Sequence, residues 1–328
     1  MDYYENDISL ITIGDTDQFL LLPEGMSAPV GLPDSIKILQ KPVKNIYLVA
    51  TSAMDDFIHL DAMDLIALSG TKDTGWYLPE AKTAMEEGKI AYAGKYSAPD
   101  YEKILSSDCG LAVGVHHDLP YSRGKRTVGT PWDPGSRGAG PAMRAIPWEE
   151  WSGSGSTGVL TGKEAEAEQI FRENVDALSD VLDMEPSGKT AAFFYVTNSG
   201  SVNVRKNGDY IAKMIALAGG TYIPGNAGSD ENALSTMNMD FESFYTAAKD
   251  ADVLIYNSTI DGELTAIDEL FAKNQLFADF KAVREGNVWC TGKNMFQETM
   301  GLGDMIRDMN AVFADDTEYS FTYLHQLK

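Results

Sequence analysis

The sequence predicts an α/β protein of two Rossmann-like lobes joined by one long backbone helix, with a ligand cleft between the lobes. Three observations carry this. First, two stretches 140 residues apart repeat one pattern, Asp100-Tyr101-Glu102-Lys103-Ile104-Leu105 and Asp240-Phe241-Glu242-Ser243-Phe244-Tyr245. Each opens on a carboxylate suited to cap a helix, adds an aromatic and a Glu, and runs on into a short apolar strand, 111–113 or 253–256. A matched Glu on each lobe implies a partner that grips both. Second, apolar runs alternate with helical segments in both halves, the order that gives a largely parallel sheet covered on both faces. Third, residues 163–184 hold the longest helical pattern, with Ile170, Phe171, Asn174, Leu178, Val181 and Leu182 at helical spacing and acidic residues outside.

Taken in order, 8–13 and 18–22 read as strands around the turn-rich Gly14-Asp15-Thr16-Asp17. Residues 46–50 form a buried strand leading through Thr51 and Ser52 into a helix that ends at Leu60. A strand at 66–68, a helix at 80–87 and a strand at 90–93 precede the Glu102 helix and the 111–113 strand. The 163–184 helix follows Gly162, is stopped by Pro186-Ser187-Gly188, and spans about 30 Å. The second lobe then reads as strand 190–196, helices 210–217 and 241–248, strand 253–256, helix 264–273 and strand 287–290. The expected organisation is an N-terminal lobe over 1–160, a linker helix over 161–187 and a C-terminal lobe over 188–328.

At 328 residues the chain is long enough for two cores, and its net charge of −23 argues against nucleic acid or an anionic membrane as a direct partner. No apolar run approaches the roughly 20 residues that span a bilayer. Cys109 and Cys290, one per lobe, offer neither a disulfide framework nor zinc spacing. The acidic start Met1-Asp2-Tyr3-Tyr4-Glu5-Asn6-Asp7 lacks an apolar export core, so the chain reads either as cytoplasmic or as beginning downstream of an export segment. Gly153-Ser154-Gly155-Ser156-Thr157-Gly158 lacks the Lys-Ser/Thr of a phosphate loop. His116 and His117 are adjacent, and with His59 and His325 the only others, no His-based metal site is expected. No Ser/His/Asp or Cys/His set can be assembled. No enzyme, cofactor or metal is expected.

Several stretches carry a family resemblance: Ile46-Tyr47-Leu48-Val49-Ala50-Thr51-Ser52-Ala53-Met54, Ala93-Gly94-Lys95-Tyr96-Ser97-Ala98-Pro99-Asp100-Tyr101-Glu102, Asn203-Val204-Arg205-Lys206, Tyr256-Asn257-Ser258-Thr259-Ile260-Asp261-Gly262-Glu263 and Asn287-Val288-Trp289-Cys290-Thr291. Over about 1–115 and 158–328 the chain resembles the substrate-binding proteins of iron–siderophore and cobalamin ABC importers, in particular clostridial-type lipoproteins. The resemblance implies a single backbone helix and an extracellular, lipid-anchored location, although the anchoring cysteine is not in this sequence. It also implies that Glu102 and Glu242 pair with arginines of the permease. Ligand residues are expected on loops leaving the carboxyl ends of strands. These are Thr51, Ser52, Trp76, Tyr77, Lys95 and Tyr96 in the first lobe, and Arg205, Asn257, Trp289, Lys293 and Phe296 in the second. Aromatics would cover the organic shell of a chelate and the cations would meet its negative oxygens. The expected function is delivery of a ferric siderophore or similar iron chelate by a monomer to ABC permease subunits. Cobalamin or haem is the alternative ligand, and a two-lobed sugar-nucleotide transferase the alternative of another class.

The tract 116–157 departs from all this. Five Lys/Arg stand against four Asp/Glu, and three of the five Trp and five of the 13 Pro crowd into it without a usable period. A structureless loop of that length inside a compact domain is unusual. A permitted codon choice for His117-Asp118-Leu119-Pro120-Tyr121-Ser122, read one base later, spells Met-Ile-Tyr-His-Thr, and further register changes give family-like words up to Gly158. The tract therefore reads as frameshifted. It is expected to be irregular, to leave 111–113 without a neighbouring strand, and to spoil the entry to the backbone helix.

Overall fold

A computed structural model of the chain describes residues 1–13, 17–114, 144–147, 154–225 and 236–328. The chain divides into two compact units, Met1–Glu173 with Gln297–Met300, and Asn174–Phe296 with Gly301–Lys328. The division falls at 173/174, and the second unit is interrupted by four residues that belong to the first.

Unit 1 begins with β1 (Asp2–Tyr4), β2 (Ile8–Ile13), β3 (Asp17–Leu22) and β4 (Ile36–Gln40). They form one sheet in that order, antiparallel until β4 joins β3 in parallel. Then follow β5 (Ile46–Leu48), α1 (Ala53–His59), β6 (Ile66–Ser69), α2 (Pro79–Glu86) and β7 (Ala91–Tyr92). A small hairpin, β8 (Gly94–Lys95) with β9 (Ala98–Pro99), leads to α3 (Tyr101–Ser106), β10 (Leu111–Gly114), β11 (Arg144–Pro147) and α4 (Ser154–Thr161). The second sheet runs β11-β10-β5-β6-β7, every pair parallel. Period-two alternation explains its double burial: Ile46, Leu48, Leu111 and Val113 enter one apolar cluster with Phe57 and Phe19, while Tyr47, Val49 and Ala112 enter another with Ile104.

The parallel neighbour that β10 was expected to lack is present. β11 pairs with it from Leu111 opposite Arg144 to Gly114 opposite Pro147. The entry to the linker helix is intact too. Val159 and Leu160 of α4 are buried, and a Cβ at Gly158 would stand 2.7 Å from that of Ala167, so the glycine sets how closely α4 approaches the next helix. The remainder of the frameshift reading falls on residues 115–143 and 148–153, outside the described residues.

Next is α5 (Glu164–Ala177), which starts in unit 1 and ends in unit 2, and then α6 (Ser179–Leu182). The single helix expected over 163–184 is therefore broken at Leu178, where the chain tightens into a three-residue turn with the Leu178 amide donating to Val175 O at 3.0 Å. Within unit 1, buried Lys41 anchors the start of α5 through Glu164 at 2.6 Å and also meets Asp7 at 3.2 Å.

Unit 2 continues with β12 (Thr190–Val196), β13 (Val202–Arg205), α7 (Tyr210–Leu217), β14 (Thr221–Ile223), β15 (Thr236–Met239), α8 (Phe241–Ala248) and β16 (Val253–Tyr256). It closes with α9 (Ser258–Asp261), α10 (Ile267–Lys273), α11 (Lys281–Arg284), β17 (Val288–Thr291), α12 (Leu302–Ala314) and β18 (Leu324–Gln326). The sheet order is β15-β13-β12-β16-β17-β18, with β14 parallel to the first half of β12 and β13 antiparallel to its second half. Ala191 and Phe193 face one cluster with Ile211 and Met309, whereas Ala192 and Phe194 face another built on Phe244, Phe277 and Phe280. The twin helix starts behave as expected: Asp100 accepts from the Lys103 amide at 3.0 Å and Asp240 from the Ser243 amide at 2.8 Å.

Candidate functional site

In unit 1, Thr51 and Ser52 follow β5 at its carboxyl end, and Ser52 opens α1. The residues next to them were missed by sequence reasoning. Asp55 and Asp56, both buried, occupy the first turn of α1. Asp55 Oδ1 lies 3.1 Å from His59 Nδ1, and that hydrogen bond pushes the imidazole pKa up to about 9. Asp56 accepts from Thr157 Oγ1 at 3.2 Å, yet burial dominates and raises its carboxyl to about 7. Two acids at successive positions before an apolar helical run were the available signal.

Trp76 does not stand at a binding surface. The turn Asp73–Gly75 directs it inward, its ring is 4 % exposed inside the main core cluster, and its indole N–H has no partner among the described residues. Tyr77 beside it is 46 % exposed. Lys95 and Tyr96 lie exposed in the β8–β9 hairpin, after β7. Glu102 and Glu242 are both exposed and both second in their helix, directly after a capping Asp and an aromatic. The matched placement read from the two stretches is thus present in each unit.

In unit 2 two of the expected ligand residues, Asn257 and Trp289, turn out to be committed elsewhere, and a third, Arg205, does not lie where it was expected. Asn257 is buried and spends its Oδ1 on capping α9, accepting from the Thr259 amide at 3.1 Å and hydroxyl at 2.8 Å. Trp289 lies within β17, its ring 4.6 Å from that of Phe321 and its N–H donated to Asn287 Oδ1 at 2.9 Å. Arg205 is not on a loop at the carboxyl end of β12. The chain reverses there and returns as β13, which carries Arg205 back beside the middle of β12. Lys293 is exposed in the segment after β17.

What the structure assembles is a group around Arg205. Its guanidinium carbon stands 5.9 Å from the Phe193 ring centre, 5.8 Å from Tyr210 and 5.4 Å from Phe296. These are distances at which the negative ring faces attract a cation. Its Nη1 donates to Asp209 Oδ2 at 3.4 Å, a long bond, and the Tyr222 hydroxyl fixes the Arg205 carbonyl at 2.7 Å. Asp209 caps α7 by accepting from the Ile211 amide at 2.9 Å. Burial raises the Asp209 carboxyl, Arg205 pulls it back down, and burial pushes Tyr210 up to about 12. A guanidinium has five N–H donors, and among the described residues Arg205 donates only to Asp209. The side chain keeps 16 % of its surface exposed. A partly open cation with unused donors and an aromatic surround fits a ligand with anionic oxygens on an apolar frame. Phe193, Asp209, Tyr210 and Tyr222 were missed, although an acid four residues after Arg205 followed by a tyrosine was visible. Among the described residues no group of three or more His, Cys, Asp and Glu could hold a metal ion, and no helix is long and apolar enough to cross a membrane.

The chain shares the fold of the periplasmic substrate-binding proteins. It is similar to a periplasmic heme-binding protein from Pseudomonas aeruginosa, with a TM-score of 0.61, 14% identity, and coverage of 87% of this chain and 98% of the other. The ABC-type Fe3+-hydroxamate transport protein of Saccharomonospora viridis gives a TM-score of 0.61 at 16% identity, over 84% and 94% of the two chains. The petrobactin-binding protein of Bacillus subtilis gives 0.60 at 14%, over 85% and 93%. In sequence, the chain is 24% identical over 276 residues to an uncharacterized lipoprotein of Methanocaldococcus jannaschii. That alignment covers 81% of this chain, and the chain spans 64% of the lipoprotein's length. No protein-family model matches the chain.

Proposed function

We propose that this chain is an extracellular solute-binding protein that captures an anionic metal chelate, a ferric siderophore in class, and delivers it to an ABC permease. The observation that carries the reading is Arg205, a cation with unused donors surrounded by Phe193, Tyr210 and Phe296. The fold supports it, as do the printed names of the structural relatives, which bind heme or petrobactin or belong to an Fe3+-hydroxamate system. Lys293 and Phe296 after β17 are further candidate ligand residues of unit 2, and Thr51, Ser52, Tyr77, Lys95 and Tyr96 are those of unit 1. Glu102 and Glu242 are assigned to permease docking because each is an exposed carboxylate at the same position of its helix. A lipid-anchored surface location agrees with the lipoprotein relative.

Absorbance titration and native mass spectrometry against ferric catecholate, hydroxamate and carboxylate siderophores, cobalamin and haem test the reading. One anionic ferric chelate is expected to bind, and Arg205→Gln to weaken it by about 1.5–3 kcal/mol, the worth of a hydrogen bond to a charged group. Binding of cobalamin or haem alone would move the ligand class. Affinity unchanged in Arg205→Gln would remove Arg205 from the site.

A further inference from the structure

Asp209 and the groups around it all belong to unit 2. The residue is fixed on two sides: its amide donates to Lys206 O at 3.0 Å, and its Oδ1 accepts from the Ile211 amide at 2.9 Å. Its side chain is fully buried, so the carboxylate cannot swing away from Arg205 and water does not screen it. Burial raises the carboxyl, Arg205 and Lys213 oppose that, and a carboxylate facing a guanidinium carries its charge at pH 7. Oδ2 faces Arg205 Nη1 at 3.4 Å, beyond the roughly 2.7–2.9 Å of a close charge-assisted bond. The acid thus cancels much of the cation's charge while holding it only loosely. Three rings hold it instead: Phe193 at 5.9 Å, Tyr210 at 5.8 Å and Phe296 at 5.4 Å.

An incoming anion meets two attractions here and one repulsion. Its oxygens can take the guanidinium N–H groups that Asp209 leaves unused, and any apolar frame it carries can bury against the three rings. Against both stands the Asp209 charge. Across about 6 Å at an effective dielectric of about 20, that repulsion corresponds to roughly a hundredfold in affinity before screening. It falls on every anion alike, so only an anion that also buries a frame stays bound. We infer that Asp209 is a positioning residue that sets the specificity of the Arg205 site: by neutralising the guanidinium it denies the site to small anions and leaves it to anions carried on an aromatic frame. Asp209 acts through Arg205 and need not touch the ligand. The inference rests on the reading of Arg205 as an anion site and names the class of ligand that such a site selects.

The test titrates the full chain at pH 7 and constant ionic strength with methanesulfonate and with 2-naphthalenesulfonate, following the Arg205 side-chain N–H signal by NMR. The two probes share one headgroup and one charge and differ only in the frame. Wild type is expected to bind the naphthalene probe at least tenfold more tightly than methanesulfonate; equal affinities in wild type overturn the inference without any variant. Asp209→Asn and Asp209→Ser both keep an acceptor that caps α7 and remove the charge, so one of them serves if the other does not fold. Each is expected to bind methanesulfonate at least tenfold more tightly than wild type, the hundredfold estimate being reduced by solvent and salt. A gain of binding is not something that damage to the fold produces. A signal that answers to 2-naphthalenesulfonate, with methanesulfonate binding unchanged or weaker in the variants, overturns the inference and leaves the anion site standing. An Arg205 signal that ignores both probes in wild type and variants alike removes Arg205 as an anion site, and the inference with it.

Discussion

Asp56→Asn should stabilise unit 1 at pH 8 by about 2–3 kcal/mol and cost it on the order of 1 kcal/mol near pH 4, where only the amide burial remains. The Asp56 carboxyl is buried under α4, opposite Thr157, and its pKa is raised from 3.8 to about 7, chiefly by desolvation. Between those two values the folded chain keeps a proton that the unfolded chain has released. Stability therefore falls as pH rises through about 4 to 7, and the full penalty is present above 7. Three units at ~1.4 kcal/mol each set an upper figure of ~4 kcal/mol. An asparagine keeps one acceptor oxygen for Thr157 but buries an amide that needs partners, which costs on the order of 1–2 kcal/mol. His59 adds a second window with the same slope. Its pKa is raised to about 9 by Asp55, so its stabilisation is complete below about 6.5 and lost as pH climbs through 9. The ring is half exposed, and solvent screening keeps this share below ~1 kcal/mol. Opening free energies of α1 amides, measured by hydrogen exchange at pH 5 and pH 8 in wild type, Asp56→Asn and His59→Gln, read both windows for unit 1 alone. A loss of stability greater than 1 kcal/mol at pH 8 in Asp56→Asn would refute the reasoning, because it would mean that the ionised carboxylate is a paired, stabilising group.

Asp308 on α12 accepts from the amides of Thr322, Tyr323 and Leu324 at 2.6–3.1 Å, so Asp308→Ala should cost about 3–5 kcal/mol and release β18. Urea unfolding with hydrogen exchange at 322–326 checks this, and protection equal to wild type would exclude it. Glu102→Arg and Glu242→Arg should leave chelate affinity unchanged and slow transport through the permease, most at low ionic strength, since exposed rim charges act on encounter. Transport equal to wild type in the double variant would withdraw the docking assignment.

Much of the scaffold was legible because it rests on local rules. Asp100 and Asp240 announced their helices by capping chemistry, and the runs at 46–48, 111–113, 190–196 and 253–256 are apolar on both faces, as buried parallel strands must be. Elements that depend on distant partners were not. β11 lies in a tract with no period, and its strand state comes from pairing with β10. β13 is four residues long, and β18 is held by an α12 carboxylate rather than by its own sequence. The break at Leu178 left no mark because the helical period runs through it. For the site, the rule of loops after strands selected both Arg205 and Phe296, which lie 5.4 Å apart although Arg205 is in β13 rather than on such a loop, and it also selected Trp76, Trp289 and Asn257, whose side chains are used for packing and capping. Side-chain direction, which decides between core and ligand, is set by turns such as Asp73–Gly75 and is silent in residue type alone.

The register of one short strand ties the Arg205 group to the fold. β13 pairs antiparallel with β12, Val202 opposite Val196 and Val204 opposite Phe194, which sends both valines into the phenylalanine cluster of Phe194, Phe244 and Phe277. Continuing that register sets Arg205 opposite Phe193, on the other face, where Tyr210, Phe296 and Asp209 surround it. A slip by one residue would reverse every side chain of β13. It would drive a guanidinium into the all-apolar cluster, where an unpaired charge costs far more than the burial of two valines returns. The valines and the arginine thus enforce the same register from opposite faces. The position of the cation is therefore a consequence of strand pairing, and exchanging Arg205 for an apolar residue would remove the cation of the proposed site while also weakening the rule that keeps β13 in place.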